Sequence, residues 1–272
     1  MGDPGLTRRR VLGLGTAAAV TGLAGGCSGG VPGLGGVGSD PGRESASCVP
    51  RSALTPRRDL AGLPLVYEPD GRRSAFWFDA AFADRLEAWV AGLAEVLPQR
   101  PTTLTTYGSW IDGRGSCDSW HHAGRAFDLA RVRLADGSEV SCRYDRWRTL
   151  TGTDLERAQR AYWALAAGLH ARFSYVLTYL YDGAHANHVH VDNGRSGDGD
   201  PTFRSGSRVQ VQAVQAICRH LWEEPVELTG AWDGPTRRSV GRLLERLGLD
   251  DTLSSTGTWQ AWLTASAARG RE

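Results

Sequence analysis

The chain has 272 residues, room for one large or two modest domains, and 41% of them are hydrophobic, which excludes global disorder. Its 31 basic residues are all Arg and face 30 acidic ones; residues 1–47 hold four Arg and three acids, so 27 of each remain beyond them. A neutral body argues against a nucleic-acid protein, which needs a basic excess to neutralise phosphates. Histidine is scarce and clustered: five of the seven lie at His121-His122 and at His185, His188 and His190.

The first 47 residues read as targeting and tether, not as fold. Thr7-Arg8-Arg9-Arg10-Val11-Leu12 precedes a Gly/Ala-rich apolar stretch ending in Leu23-Ala-Gly-Gly-Cys27. A charged start, a short apolar middle and small residues before a cleavage point make an export signal, and the stretch is too short and Gly-rich to span a bilayer. The paired arginines resemble a twin-arginine signal, a route for proteins already folded, which suits a chain that acquires a metal before export. Ala24-Gly-Gly-Cys27 resembles a lipoprotein acylation box, with Leu23 one position too far upstream; the alternative is simple cleavage nearby. Residues 28–47 include seven Gly, with Pro and Ser, the composition of a flexible tether.

Beyond the tether, Phe82, Leu86, Trp89, Val90, Leu93 and Leu97 share one face of a helix expected over 82–97. Residues 102–107 are rich in Thr and read as a strand, followed by a Gly/Asp/Ser loop at 112–119. Arg125–Leu134 alternates and meets Asp136-Gly137, a hairpin turn, with a return strand through Val140. Thr153 and Glu156 have capping-box spacing and open a helix that carries Ala158, Tyr162, Leu165 and Leu169 on one face. Phe173–Tyr181 reads as a strand and His188–Asp192 as another. Asn193–Gly206 has linker composition, and 207–222, 236–247 and 258–267 read as three helices. Helices and strands mix without regular βαβ alternation, so the expected fold class is α+β: a small antiparallel-sheet domain plus a C-terminal all-α three-helix domain.

In an oxidising compartment the four cysteines after Cys27 form an even set: Cys48, Cys117, Cys142 and Cys218. Cys117–Cys142 is the preferred pairing, because both flank the same hairpin region. Cys218 lies on an apolar helix face with Val211, Val214 and Leu221, as a buried thiol or as a partner of Cys48.

The histidine clusters carry the chemistry. In Ser119-Trp-His121-His-Ala-Gly124-Arg-Ala126-Phe-Asp128, Gly124 permits a bend, and Ala126, Asp128 and Ala130 share one face of the following strand. His121 from the loop and Asp128 from the strand can then converge. His188 and His190, two apart on a strand, also share a face, with Asp192 beyond them. His122 is not expected as a ligand, because adjacent side chains on an extended segment point apart. Two His and one Asp leaving a place for water make a four-coordinate catalytic zinc site, one that acidifies water and polarises a carbonyl.

These residues resemble a known family. Ser119-x-His121-x-x-Gly124-x-Ala126-x-Asp128 looks like the SxHxxGxAxD signature of zinc D-Ala-D-Ala carboxypeptidases and hedgehog-type metallopeptidases, and His188-Val-His190 like their HxH motif. His185-Ala-Asn-His188-Val-His190-Val-Asp192 is closest to the extensin-like C-terminal branch, HxDHxHxD. The resemblance spans roughly residues 48–195. It implies that His121, Asp128 and His190 bind zinc, that His188 sits beside the metal as proton shuttle or hydrogen-bond donor, and that the substrates are peptides containing D-amino acids, chiefly peptidoglycan stem peptides and cross-links. One departure matters: Asn187 stands where the family places an Asp or Glu general base, and an amide cannot accept the proton of the attacking water. His185 is the first substitute, ahead of His188 and Asp192. Arg114 and Arg125 are candidates to hold a substrate carboxylate.

The C-terminal segment resembles the three-helix peptidoglycan-binding domain, through Val211-Gln-Ala-Val214-Gln215, Gly230-Ala-Trp232-Asp-Gly-Pro-Thr236, Gly248-Leu249 and Gly257-Thr258-Trp259. Thr229 in place of Asp and Leu243-Leu244 in place of Phe-Gln depart from that pattern. The expected organisation is thus signal 1–27, tether 28–47, zinc peptidase-like domain 48–195, linker 196–206 and wall-binding helices 207–272. The expected function is an exported zinc peptidase of peptidoglycan, at the cell surface or in the periplasm or wall. It meets the membrane only through its signal or a lipid on Cys27. The alternative is a non-catalytic wall-binding protein with a structural or vestigial metal site, which Asn187 favours.

Overall fold

A computed structural model describes residues 46–194, 199–249 and 252–271. The expected export signal, acylation box at Cys27 and tether up to residue 45 lie outside the described residues, as do residues 195–198 of the expected linker.

The strands in chain order are β1 (Thr55–Arg57), β2 (Asp59–Leu60), β3 (Leu63–Tyr67), β4 (Phe76–Phe78), β5 (Pro101–Gly108), β6 (Ala126–Leu134), β7 (Glu139–Ser141), β8 (Tyr175–Leu177) and β9 (Val189–Asp192). The helices are α1 (Ala80–Ala91), α2 (Leu93–Val96), α3 (Tyr144–Trp147), α4 (Gly152–His170), α5 (Arg208–Trp222), α6 (Gly234–Leu247) and α7 (Thr256–Ala268). The main sheet runs β2-β3-β5-β6-β9-β8, with β7 paired to β6. Only β3–β5 is parallel among its described pairs, so the sheet is antiparallel-rich and the molecule α+β.

The β6–β9 pairing positions the site. Its register sets Asp128 opposite His190 and Ala126 opposite Asp192, while Phe127 faces Val191 and Leu129 faces Val189. Strand alternation sends the second set into the core, where all four are at most 1% exposed, and the polar set to the other face. A one-residue slip would turn Asp128, His190 and Asp192 into the apolar core and Phe127, Leu129, Val189 and Val191 out of it, so apolar packing fixes the register.

All six apolar residues assigned to the first helix face are buried, but the run divides at Gly92 into α1 and α2. The helix expected to open on Thr153 begins one residue earlier: Thr151 is the N-cap residue, and its side chain makes no cap hydrogen bond, so the Thr153–Glu156 capping box does not form. The strand expected over Phe173–Tyr181 is cut to β8, because Thr178 turns the chain, accepting from the Leu180 N–H through its hydroxyl and from the Tyr181 N–H through its carbonyl. The described part of the expected linker is docked, not free: Phe203 is 4% exposed against Trp232 and Trp259, and Gln260 donates to the Pro201 carbonyl.

The C-terminal helices form as expected and share one continuous apolar core with the sheet layer. Helix α4 is in contact with both α5 and α7. Tyr162, Trp163, Leu165, Trp259 and Trp262 are fully buried in that core. Asp233 caps α6 by accepting from the Thr236 N–H at 2.9 Å, and Gln215 bonds Thr229, Ala231, Thr236 and Gly230. Gln215, Gly230, Asp233 and Thr236, which carried the resemblance to a wall-binding module, thus build the junction between α5 and α6.

The disulfide joins Cys48 to Cys117, and the Cys117–Cys142 pairing is incorrect. Both flank the hairpin in sequence, but Cys142 is fully buried in the core beside Trp147 and Tyr162, while Cys117 lies on the loop before His121, beside the segment that contains Cys48. Cys218 is a buried free thiol, not a partner of Cys48.

Candidate functional site

Local structure delivers each ligand candidate separately. His121 rides on a 3₁₀ turn, Trp120–Ala123, whose N-cap Ser119 accepts from the His121 N–H. Gly124 ends the turn at φ 67°, a left-handed conformation; a Cβ there would lie 2.9 Å from both the Asp79 nitrogen and the Leu54 side chain, so glycine is required. The turn is pinned on its far side, where the Val49 N–H donates to the His122 carbonyl, Trp110 donates to the Val49 carbonyl and Cys48 is bonded to Cys117. Asp128 and His190 arrive as cross-strand neighbours. A second 3₁₀ turn, Gly183–Asn187, is capped by Asp182 and brings in His185, and His188 follows in extended conformation.

These side chains converge. His121 Nε2 lies 3.3 Å from Asp128 Oδ1, His190 Nδ1 lies 2.9 Å from the same oxygen, and the two ring nitrogens are 3.2 Å apart. In a tetrahedral zinc site with bonds of about 2.0–2.1 Å the ligand atoms are about 3.3–3.4 Å apart, so this triangle fits a small divalent cation with a fourth position open. The side chains of His121, Asp128 and His190 are 12%, 18% and 11% exposed, enough for a small ligand to reach them.

The surrounding hydrogen bonds fix which atoms face inward. His121 Nδ1 donates to the Ser109 carbonyl, whose own hydroxyl donates to the Ala126 carbonyl at 2.7 Å. His185 Nδ1 donates to Asp182 at 2.6 Å, and His188 Nδ1 donates to the Asn187 amide oxygen at 2.6 Å. In each neutral ring the lone pair is therefore on Nε2, and His188 Nε2 is 3.4 Å from Asp128 Oδ1. Acceptor atoms grouped around one carboxylate oxygen could hold a cation among them, and an acceptor on the far nitrogen is the usual support of a ligating histidine.

Electrostatics follow the same geometry. Burial alone would raise the Asp128 pKa, but the neighbouring His121 and His188 and the hydrogen bond from His190 hold its carboxyl well below the ordinary range. Burial opposes charge on His190, yet hydrogen bonds to Asp128 and to Asp192 at 3.2 Å raise it to about 10. A metal on its Nδ1 would displace that proton, so binding is coupled to proton release. Burial lowers His188 to about 4 against the pull of Asp128, and burial with His190 nearby lowers His185 against Asp182.

The expected ligands His121, Asp128 and His190 are brought together, with His188 and His185 beside them; His185, His188 and His190 also offer nitrogens all within 4.8 Å of one another. His122 belongs to neither group: it is 8% exposed on the other side of its turn, with Asp118 3.7 Å away. Asp192 orients His190 and accepts from the Gly194 N–H, and Arg125 donates to Asn193 and Gly194 and lies over the Trp120 ring. Two contributors were missed from sequence. Asp182 lies three residues before His185 at the start of a turn, a spacing that signals an Asx cap. Tyr107 packs edge-on to His188 at 5.9 Å, which only the β5–β6 pairing reveals.

No curated protein and no solved structure matches the chain. The family model described as Extensin-like protein C-terminus matches residues 88–200, the segment that contains His121, Asp128, His185, His188 and His190.

Proposed function

We propose that the protein is an exported zinc-dependent peptidase acting on peptidoglycan stem peptides or cross-links that contain D-amino acids. The observation that carries this reading is the triangle of His121, Asp128 and His190 with two further imidazoles beside it, inside the segment that matches the extensin-like family. His121 Nε2, Asp128 Oδ1 and His190 Nδ1 would hold the ion. A bound zinc ion supplies Lewis acidity, polarising a carbonyl and acidifying water.

The chain's own groups supply the proton traffic. His185, neutral by burial and with Nδ1 donating to Asp182, presents Nε2 to take the proton from the attacking water. The water oxygen bonds to the scissile carbonyl carbon, the C–N bond breaks, and the proton passes to the leaving amine from His185 or, after relay, from His188. Asn187 orients His188 and handles no proton. Asp192 holds His190 in place. The wall-binding role of the C-terminal helices belongs to the same proposal and rests on their sequence resemblance.

Asn187 also supports the second reading, a wall-binding protein whose metal site is structural. Zinc-loaded full-length protein, His185→Ala and His188→Ala, incubated with defined stem peptides and cross-linked fragments, separate the two. New amine termini with the parent and a loss of about 100-fold or more in at least one variant support hydrolysis. Full zinc content without turnover on any fragment supports the structural reading.

A further inference from the structure

The three ligand atoms of the first position leave two supported imidazoles over. His185 and His188 each have Nδ1 tied to a fixed acceptor, Asp182 and Asn187, and each therefore carries its lone pair on Nε2. Their ring centroids are 5.2 Å apart, and that of His185 is 5.8 Å from that of His190. One nitrogen from each of the three lies within 4.8 Å of the others. The carboxylate behind His185 repeats the arrangement that orients ligating histidines in metal sites.

We propose that His185, His188 and His190 form a second cation position, an all-imidazole site for a first-row divalent ion such as zinc. It alternates with the first because both draw on His190. A set of neutral nitrogens favours borderline metals over magnesium or calcium. The rings must draw closer than 4.8 Å, since ligand atoms around zinc are about 3.3–3.4 Å apart, so this position is the weaker of the two. The His188 side chain is 15% exposed, and an ion passing from one position to the other would keep His190. The inference concerns metal binding alone and does not depend on the peptidase reading; a protein without turnover would leave it untouched.

The test counts zinc on full-length protein by equilibrium dialysis. A His121→Gln/Asp128→Asn variant removes the first position, and one zinc per chain is expected to remain. Adding His185→Ala should weaken the residual binding by at least about 10-fold. A folded double variant that binds no zinc overturns the proposal, and so does residual binding that His185→Ala leaves unchanged. A milder variant guards against misfolding: in Asp128→Asn alone, which disables the first position, ring-nitrogen resonances of His185 and His188 should shift or broaden as zinc is raised to one equivalent. Resonances of that variant unmoved by a large excess of zinc overturn it.

Discussion

Asp192 is 6% exposed and never touches the cation position, yet its carboxylate holds the far nitrogen of His190 while its other oxygen receives the Gly194 N–H. An Asp192→Asn exchange preserves shape and removes the charge that keeps His190 aligned. The expected result is a 10–100-fold loss of zinc affinity, roughly, with an unchanged circular dichroism spectrum, measured by competition with a chromophoric chelator. Removing a ligand outright is harsher: His190→Ala should abolish stoichiometric zinc binding, because both groups of three among the described residues that could hold a metal include His190. Equal zinc in parent and variant, by elemental analysis, would disprove that assignment. His121, Asp128, His185, His188 and His190 were all legible as chemistry-bearing residues from their spacing, while Asp182, Tyr107 and the Ser109 carbonyl were not. Their roles arise from acceptors that meet the histidine rings only after folding.

At the scale of elements, α4 ends on His170, fully buried with neither ring nitrogen hydrogen-bonded among the described residues. A helix C-terminus favours a protonated histidine. Burial wins and pushes its pKa down to about 3. The unfolded chain, titrating near 6.5, therefore binds the proton first as pH falls, and stability declines from about pH 6.5 toward pH 3. By pH 4 that loss is about 3 kcal/mol from this group. A His170→Leu variant should match or exceed the parent at pH 7.5 and show a flatter decline toward pH 4 in urea unfolding; parallel declines would refute the assignment. The loop before His121 offers a second element-level test. Cys48–Cys117 closes a separation of 69 residues, so a Cys48→Ser/Cys117→Ser variant should lose about 2–4 kcal/mol and bind zinc more weakly, since the disulfide braces the turn that carries His121.

Across the whole molecule, the C-terminal helices and the sheet layer share one apolar core, and α4 is sandwiched into it. Trp259 and Trp262 from α7 are fully buried, and Trp259 packs 6.4 Å from His170. A chain ended after Gly206 would expose the surface that α5 and α7 cover, an apolar patch far beyond what a soluble monomer tolerates. The expected outcome is an aggregated or dye-binding product without a cooperative thermal transition. A monomeric truncated chain that melts cooperatively would show that the sheet layer folds by itself.

The sequence by itself determined the α+β class, the three C-terminal helices, the hairpin at Asp136-Gly137 and the residues of the candidate cation site, because periodicity, turn residues and donor type are local properties. It also pointed to Gly124, whose bend the backbone requires. Only the tertiary structure decided the rest. The partner of Cys117 depended on which face of the fold each cysteine occupies, and sequence proximity to the hairpin misled. Thr178 sets the end of β8 through backbone competition that intrinsic propensity does not resolve, and α4 starts after Thr151 without the expected capping box. The meeting of Asp128 with His190, 62 residues apart, followed from the one β6–β9 register that buries Phe127, Leu129, Val189 and Val191 together. Burial of apolar surface, summed over the sheet, chose that register, and the ligands were carried into place on its opposite face.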